Sequence, residues 1–120
     1  MRRLAAIVLT ANLVLLSGGH GAAQEQFRIS FQRQPDEPTA LVLAGTLSNE
    51  GSRDVVDVWV GVEALNAGGR VVGRGLAFVT SQLPGRASTA FTVKLPRAEE
   101  AHSFRVFVSS FRYLFATESP

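Results

Sequence analysis

Apolar and polar residues alternate along most of the chain after residue 26. In DVWVGVEALN, Asp57 to Asn66, Val58, Val60, Val62 and Ala64 share one side. Asp57, Trp59, Gly61 and Glu63 share the other, because strand side chains alternate with period two. The same period recurs in FRISFQR, where Phe27, Ile29 and Phe31 oppose Arg28, Ser30 and Gln32. TALVLAGTLSN aligns Leu41, Leu43, Gly45 and Leu47, and TAFTVKL aligns Thr89, Phe91, Val93 and Leu95. SFRVFVSSFRYLF aligns Phe104, Val106 and Val108, and a return strand is predicted from Val71 to about Thr80.

Turn chemistry falls between these runs. Pro35 and Pro38 are expected to separate the first two strands. In NEGSRD, Asn49 closes a turn with its own side chain and Gly51 follows in a left-handed conformation. Asn66 repeats that duty in NAGGR, where Gly68 and Gly69 are available for positive φ. LPGRAS, with Pro84 and Gly85, makes a further turn, and PRAEEA reads as a loop or one helical turn. No helical pattern of ten or more residues, repeat or second domain is visible. Six evenly spaced strands predict an all-β fold, an antiparallel sandwich or barrel. Inward Phe, Val and Leu favour the two-sheet core of a sandwich.

The first residues follow another rule. MRRLAAIVLTANLVLLSGGHGAAQ has a basic start, an apolar run from Leu4 to Leu16 and small residues up to Ala23. That is the layout of a secretory signal peptide, with cleavage expected after Ala23. The apolar run is shorter than the roughly 18 residues a membrane span needs, so no stable span is expected after cleavage. No cysteine follows it to carry a lipid. The mature domain, residues 24–120, is therefore expected to be periplasmic or secreted.

Cleavage alters the charge balance. The full chain has 12 Lys and Arg against 10 Asp and Glu. Arg2 and Arg3 leave with the leader and all the acidic residues stay, so the mature chain is neutral. Its basic residues are scattered, which leaves no nucleic-acid footprint. The absence of cysteine removes thiol catalysis, thiolate metal sites and disulfides. An exported domain of this length then depends on its apolar core.

Three segments in order, LAGTLSNEGSRDVVDVWVGVEALNAGGRVVG, LPGRASTAFTVKL and SFRVFVSSF, resemble the FxLYD-type domains. These are small immunoglobulin-like or fibronectin-like β-sandwiches of exported prokaryotic proteins. The resemblance runs from Leu43 to Phe111 and rests on Gly45, Leu47 and Asn49, a Gly-containing hairpin, and Pro84 and Gly85 ahead of Phe91. At the signature itself Ala64, Leu65 and Asn66 stand where the family favours Leu-Tyr-Asp. The resemblance implies an immunoglobulin-like sandwich and no catalytic residue.

Catalytic and metal-binding constellations are poorly represented. His102 is the single histidine after cleavage, and no Gly-x-Ser-x-Gly turn accompanies Ser103, Ser109 or Ser110. Asp57 and Glu63 are six residues apart on one strand, roughly 20 Å at about 3.3 Å per residue. A glycosidase pair needs about 5–10 Å. Asn49, Glu50, Asp54 and Asp57 do not follow a known calcium-loop spacing, so a solvated acidic turn is expected. Gly73 and Gly75 open no helix, which argues against a phosphate loop and for a bulge or a close chain approach. No enzyme activity, cofactor or metal is expected.

The aromatics remain. With the valines inward, Trp59 faces outward, and Phe107 does the same on the last strand. Phe111, Tyr113 and Phe115 continue the parity of Phe107. Trp59, Phe107 and Tyr113 are thus the candidate binding residues. Mutual shielding of these rings, or a bulge near Gly61 that buries Trp59, would give them a structural role instead. Exposed, they suit another envelope or secreted protein, or alternatively a carbohydrate or polymer.

Overall fold

The computed structural model describes residues 26–114, and the expected leader lies outside them. The six strands are β1 (Phe27–Glu37), β2 (Ala40–Asn49), β3 (Val55–Leu65), β4 (Val71–Leu83), β5 (Ser88–Pro96) and β6 (Ser103–Tyr113). They form two antiparallel three-stranded sheets, ordered β1-β2-β5 and β4-β3-β6. The chain changes sheet at each of β2–β3, β4–β5 and β5–β6. This is a β-sandwich with the connectivity of immunoglobulin-like strands A-B-E facing C′-C-F.

The core follows from the alternation. Leu41, Leu43 and Leu47 of β2 meet Val58, Val60, Val62 and Ala64 of β3 in one buried cluster. Phe91, Val93 and Leu95 of β5 and Val106 and Val108 of β6 complete it. Each fully buried Val, Leu or Phe contributes about 1.5–3 kcal/mol relative to exposure. On the β4–β5 side the sheets come very close. A Cβ on Gly75 would lie 2.6 Å from the Lys94 carbonyl oxygen and 3.0 Å from the Leu95 Cβ. Gly75 thus marks a close chain approach, and Gly73 has ordinary contact distances.

The structure differs from the expected pattern along β1, at the turns and in the phase of alternation. β1 continues through Pro35 to Glu37, and only Pro38 and Thr39 form the turn. Pro35 sits inside a register shift between Gln34 and Glu37, where the ladder is interrupted and a missing N–H costs little. Gly51 is not left-handed, and at the β3–β4 hairpin Gly69 alone, not Gly68, takes positive φ, at 86°. In the Pro84–Ala87 turn the positive φ falls on Arg86, at 70°. Gly85 is needed for space instead, since its Cβ would lie 2.5 Å from the Ser52 carbonyl oxygen.

Val55 and Val58 are both fully buried although three residues apart, which unbroken period two forbids. Asp57, at φ 54°, takes up the extra residue as a bulge. On β6, Val60 pairs with Val108 but Trp59 pairs with Ser110, so Ser109 is skipped. On β4, Val58 pairs with Thr80 and Trp59 with Phe78, so Val79 is skipped. The break crosses the whole sheet. Beyond it Phe111 and Tyr113 turn inward against the core, Phe111 edge-on to Phe27 with centroids 5.0 Å apart. The expected outward parity of Phe111 and Tyr113 is therefore wrong, and Phe115 lies outside the described residues.

Asn49 does far more than close a turn. It is 1% exposed. Its Oδ1 accepts from the Gly51 N–H and from Gln26 Nε2, each at 3.0 Å. Its Nδ2 donates to the Arg53 carbonyl at 2.9 Å and the Leu83 carbonyl at 3.1 Å. Tyr113 Oη donates to Gln26 Oε1, and the Arg53 guanidinium lies over the Tyr113 ring. One amide thus joins the start of β1, the end of β2, the approach to β3 and the end of β4. Asn66 plays the expected part, accepting at Oδ1 from the Gly68 and Arg70 N–H groups at 2.9 Å each.

Candidate functional site

The two outer faces of the sandwich differ in chemistry. Over β1-β2-β5 the outward positions include Ser30, Gln32, Thr46, Ser48, Ser88 and Thr92. Over β4-β3-β6 the central outward positions, apart from Ser110, are apolar and the two ends are charged or polar. The register lays the second face out in four cross-strand rows.

At one end, Glu63 lies between Arg74 of β4 and Arg105 of β6. Its Oε1 accepts from Arg105 Nε at 3.0 Å and Nη2 at 2.5 Å, and its Oε2 is 3.6 Å from Arg74 Nε. The next row is Leu76, Gly61 and Phe107. The Phe107 ring covers Gly61, whose Cβ would lie 2.8 Å from two ring carbons. The third row is Phe78, Trp59 and Ser110, with the Trp59 and Phe78 rings edge-to-face at 5.3 Å. The fourth is Gln82, Val56 and Arg112. There Arg112 pairs with Asp57, and Gln82 Nε2 donates to Asp54 Oδ2.

Leu76 is 58% exposed and Phe78 49%, while Trp59 and Phe107 are partly covered. Trp59 packs edge-to-face with Phe78, and the Phe107 ring covers Gly61 in the adjacent row, which places these side chains side by side on one apolar surface. Aromatic pairs of this kind contribute about 0.5–1.5 kcal/mol beyond area burial. Trp59 and Phe78 therefore shield each other and still leave an open patch. Charged pairs close both ends of it.

Trp59 and Phe107 share this face as their alternation implied. Tyr113 does not join them, because the bulges turn it toward Gln26 and the core edge. Leu76 and Phe78, the most exposed members of the patch, were not singled out by sequence. In VVGRGLAFVTSQL apolar residues occupy both parities, so the periodicity assigns no face. Gly75 held the clue, since a glycine forced inward by a close neighbour puts Leu76 and Phe78 outside.

Among the described residues the His102 imidazole makes no hydrogen bond to a serine or a carboxylate. The backbone N–H of His102 donates to the Leu65 carbonyl. Ser110 pairs with Trp59, six residues along β3 and roughly 20 Å away. No group of three or more His, Cys, Asp and Glu gathers as metal ligands among the described residues. Asp54 accepts from the Gly85 N–H and Gln82, and Asp57 holds Arg112.

No family model, curated protein or solved structure matches this chain.

Proposed function

We propose that the chain is an exported, non-catalytic immunoglobulin-like module of the cell envelope. Its outer β4-β3-β6 face docks another envelope or secreted protein. The observation that carries the reading is the asymmetry of the faces: one presents Ser, Thr and Gln, the other Leu76, Phe78, Trp59 and Phe107. Contiguous apolar surface of this kind marks interaction sites in soluble domains. The leader-like segment supports export, and the likeness to FxLYD-type domains supports an envelope setting.

Phe78 alone gives a sense of scale. Half of the roughly 150–250 Å² of an aromatic side chain is on the order of 100 Å². Covering it is worth about 2.5 kcal/mol before the costs of association. A partner protein suits the patch better than a sugar ring. The Trp59 indole is engaged edge-to-face with Phe78, whereas a sugar needs an open ring face beside hydrogen-bonding groups.

A photo-crosslinking residue placed at Phe78 in the producing cell tests this. Protein adducts from Phe78, and none from Thr92 on the opposite face, are the expected result. Equal adducts from both positions, or none from Phe78, would refute docking through this face.

A further inference from the structure

We infer that Arg33 guards the free edge of β1, and that without its charge two copies of the chain would join there into one continuous sheet. The inference is independent of docking through the β4-β3-β6 face. β1 is an outer strand of its sheet and pairs with β2 alone among the described residues. From Phe27 to Gln34 that ladder runs without a shift. The other edge of this stretch therefore presents backbone N–H and C=O groups to any further strand, the usual hazard of a sheet edge. The opposite side of the sandwich is closed by the approach of β4 to β5 at Gly75.

Arg33 is the anomaly of this strand. Phe27, Ile29, Phe31 and Arg33 share the inward parity, and the first three pack on the core. A cation fills the fourth position. Its guanidinium stays exposed and lies 5.5 Å from the ring centroid of Phe104 on β6. Arg33 Nη2 donates to both carboxylate oxygens of Asp36, each at 3.2 Å. The side chain therefore reaches from β1 toward β6 across the side by which an added strand would enter. Such a strand would take the water from the guanidinium, and an inward-pointing charge is one of the ways sheet edges refuse a partner.

But for this residue the strand complements itself. Two β1 strands pairing antiparallel about Ser30 set Ser30 against Ser30, Arg28 against Gln32, Ile29 against Phe31 and Phe27 against Arg33. Inward positions then meet inward positions throughout, as register requires. Each end of the pairing forces a guanidinium beside Phe27, whose ring already packs on Phe111. A β-branched apolar residue at position 33 would convert that contact into an aromatic pair of the kind that stabilises sheets. Just beyond, Pro35 and the register shift after Gln34 end the free ladder.

A cysteine at the axis reads this pairing, and the chain has no other cysteine. Ser30 is outward and exposed, and residues opposite each other in an antiparallel pair, about 4.5–5.5 Å apart at Cα, are within disulfide reach. The chain purified after export is oxidised mildly at about 10 µM and the linked dimer measured on non-reducing gels. Ser30→Cys alone should give little of it, and Ser30→Cys with Arg33→Val about tenfold more. Ser30→Cys with Arg33→Lys, which keeps the charge, should match Ser30→Cys alone. So should Ser30→Cys with Arg28→Val, an equal gain of apolar character on the outward parity. Arg33→Thr replaces Arg33→Val if circular dichroism shows that variant unfolded. Equal yields with and without the change at Arg33 overturn the guard. A rise with Arg33→Lys or Arg28→Val as large as with Arg33→Val overturns it too.

Discussion

Replacing Asn49 by alanine removes four side-chain hydrogen bonds from a position that is 1% exposed. A hydrogen bond of this kind contributes about 0.5–1.5 kcal/mol net, and a buried group left without its partner costs about 1–3 kcal/mol. The Leu83 carbonyl is the most deeply buried group stranded, while the Gly51 N–H and Arg53 carbonyl lie nearer solvent and recover water in part. The expected loss is about 3 kcal/mol, a large share of the roughly 5–15 kcal/mol that holds a domain of this size. At about 4–8 °C per kcal/mol the midpoint of thermal unfolding should fall by roughly 12–24 °C. Urea unfolding followed through Trp59 reads the loss directly. Asn49→Asp sharpens the test, because it keeps the acceptor side and sets an anion against the Arg53 and Leu83 carbonyls. It should cost at least as much as alanine. A loss below about 1 kcal/mol for Asn49→Ala would refute the view of Asn49 as the joint of the sandwich.

Gly75→Ala should destabilise by about 1–3 kcal/mol, because its Cβ meets the Lys94 backbone. Gly73→Ala, two residues away with contacts of 3.6 Å and longer, should be neutral or stabilising by up to about 1 kcal/mol; equal effects in thermal melts would contradict the close approach. Tyr113→Phe should lose about 1 kcal/mol with its bond to Gln26 and leave the adducts from Phe78 unchanged. A loss of those adducts would return Tyr113 to the docking face. Acrylamide should quench Trp59 partially in the dilute protein and more strongly in Phe78→Ala, which removes the ring packed against it. Quenching as in free tryptophan, or none, would contradict a partly covered indole.

The fold was legible in the sequence because the strongest signal, alternation, belongs to the central strands. Val58 through Ala64 and Leu41 through Leu47 are the core of the protein and also the cleanest repeats in the chain. Turn positions were legible as places but less so in mechanism. Asn66 acts as its residue type suggests, while the left-handed residue in the Pro84 turn is an arginine, which no preference favours. The face of Tyr113 was not legible, because one extra residue in a strand is invisible to a period-two count. Leu76 and Phe78 were hidden for a related reason: β4 carries apolar residues on both parities, and its sidedness is set by the approach of β5, a contact distant in sequence.

The bulge line through Asp57, Ser109 and Val79 divides the β4-β3-β6 sheet into two reading frames. In a library of all single substitutions, tolerance for charge should alternate along β3 from Leu65 back to Val58, except at outward Gly61, where any Cβ meets the Phe107 ring. It should skip a beat at Asp57 and resume with Val55 intolerant. On β6 the same skip should appear after Val108. Deleting Asp57 would join the frames on β3 with Val55 still inward, but it would leave Ser109 of β6 without its matching extra residue and force the two strands out of register, so related chains should tolerate length changes in the loops far more readily than at this internal position.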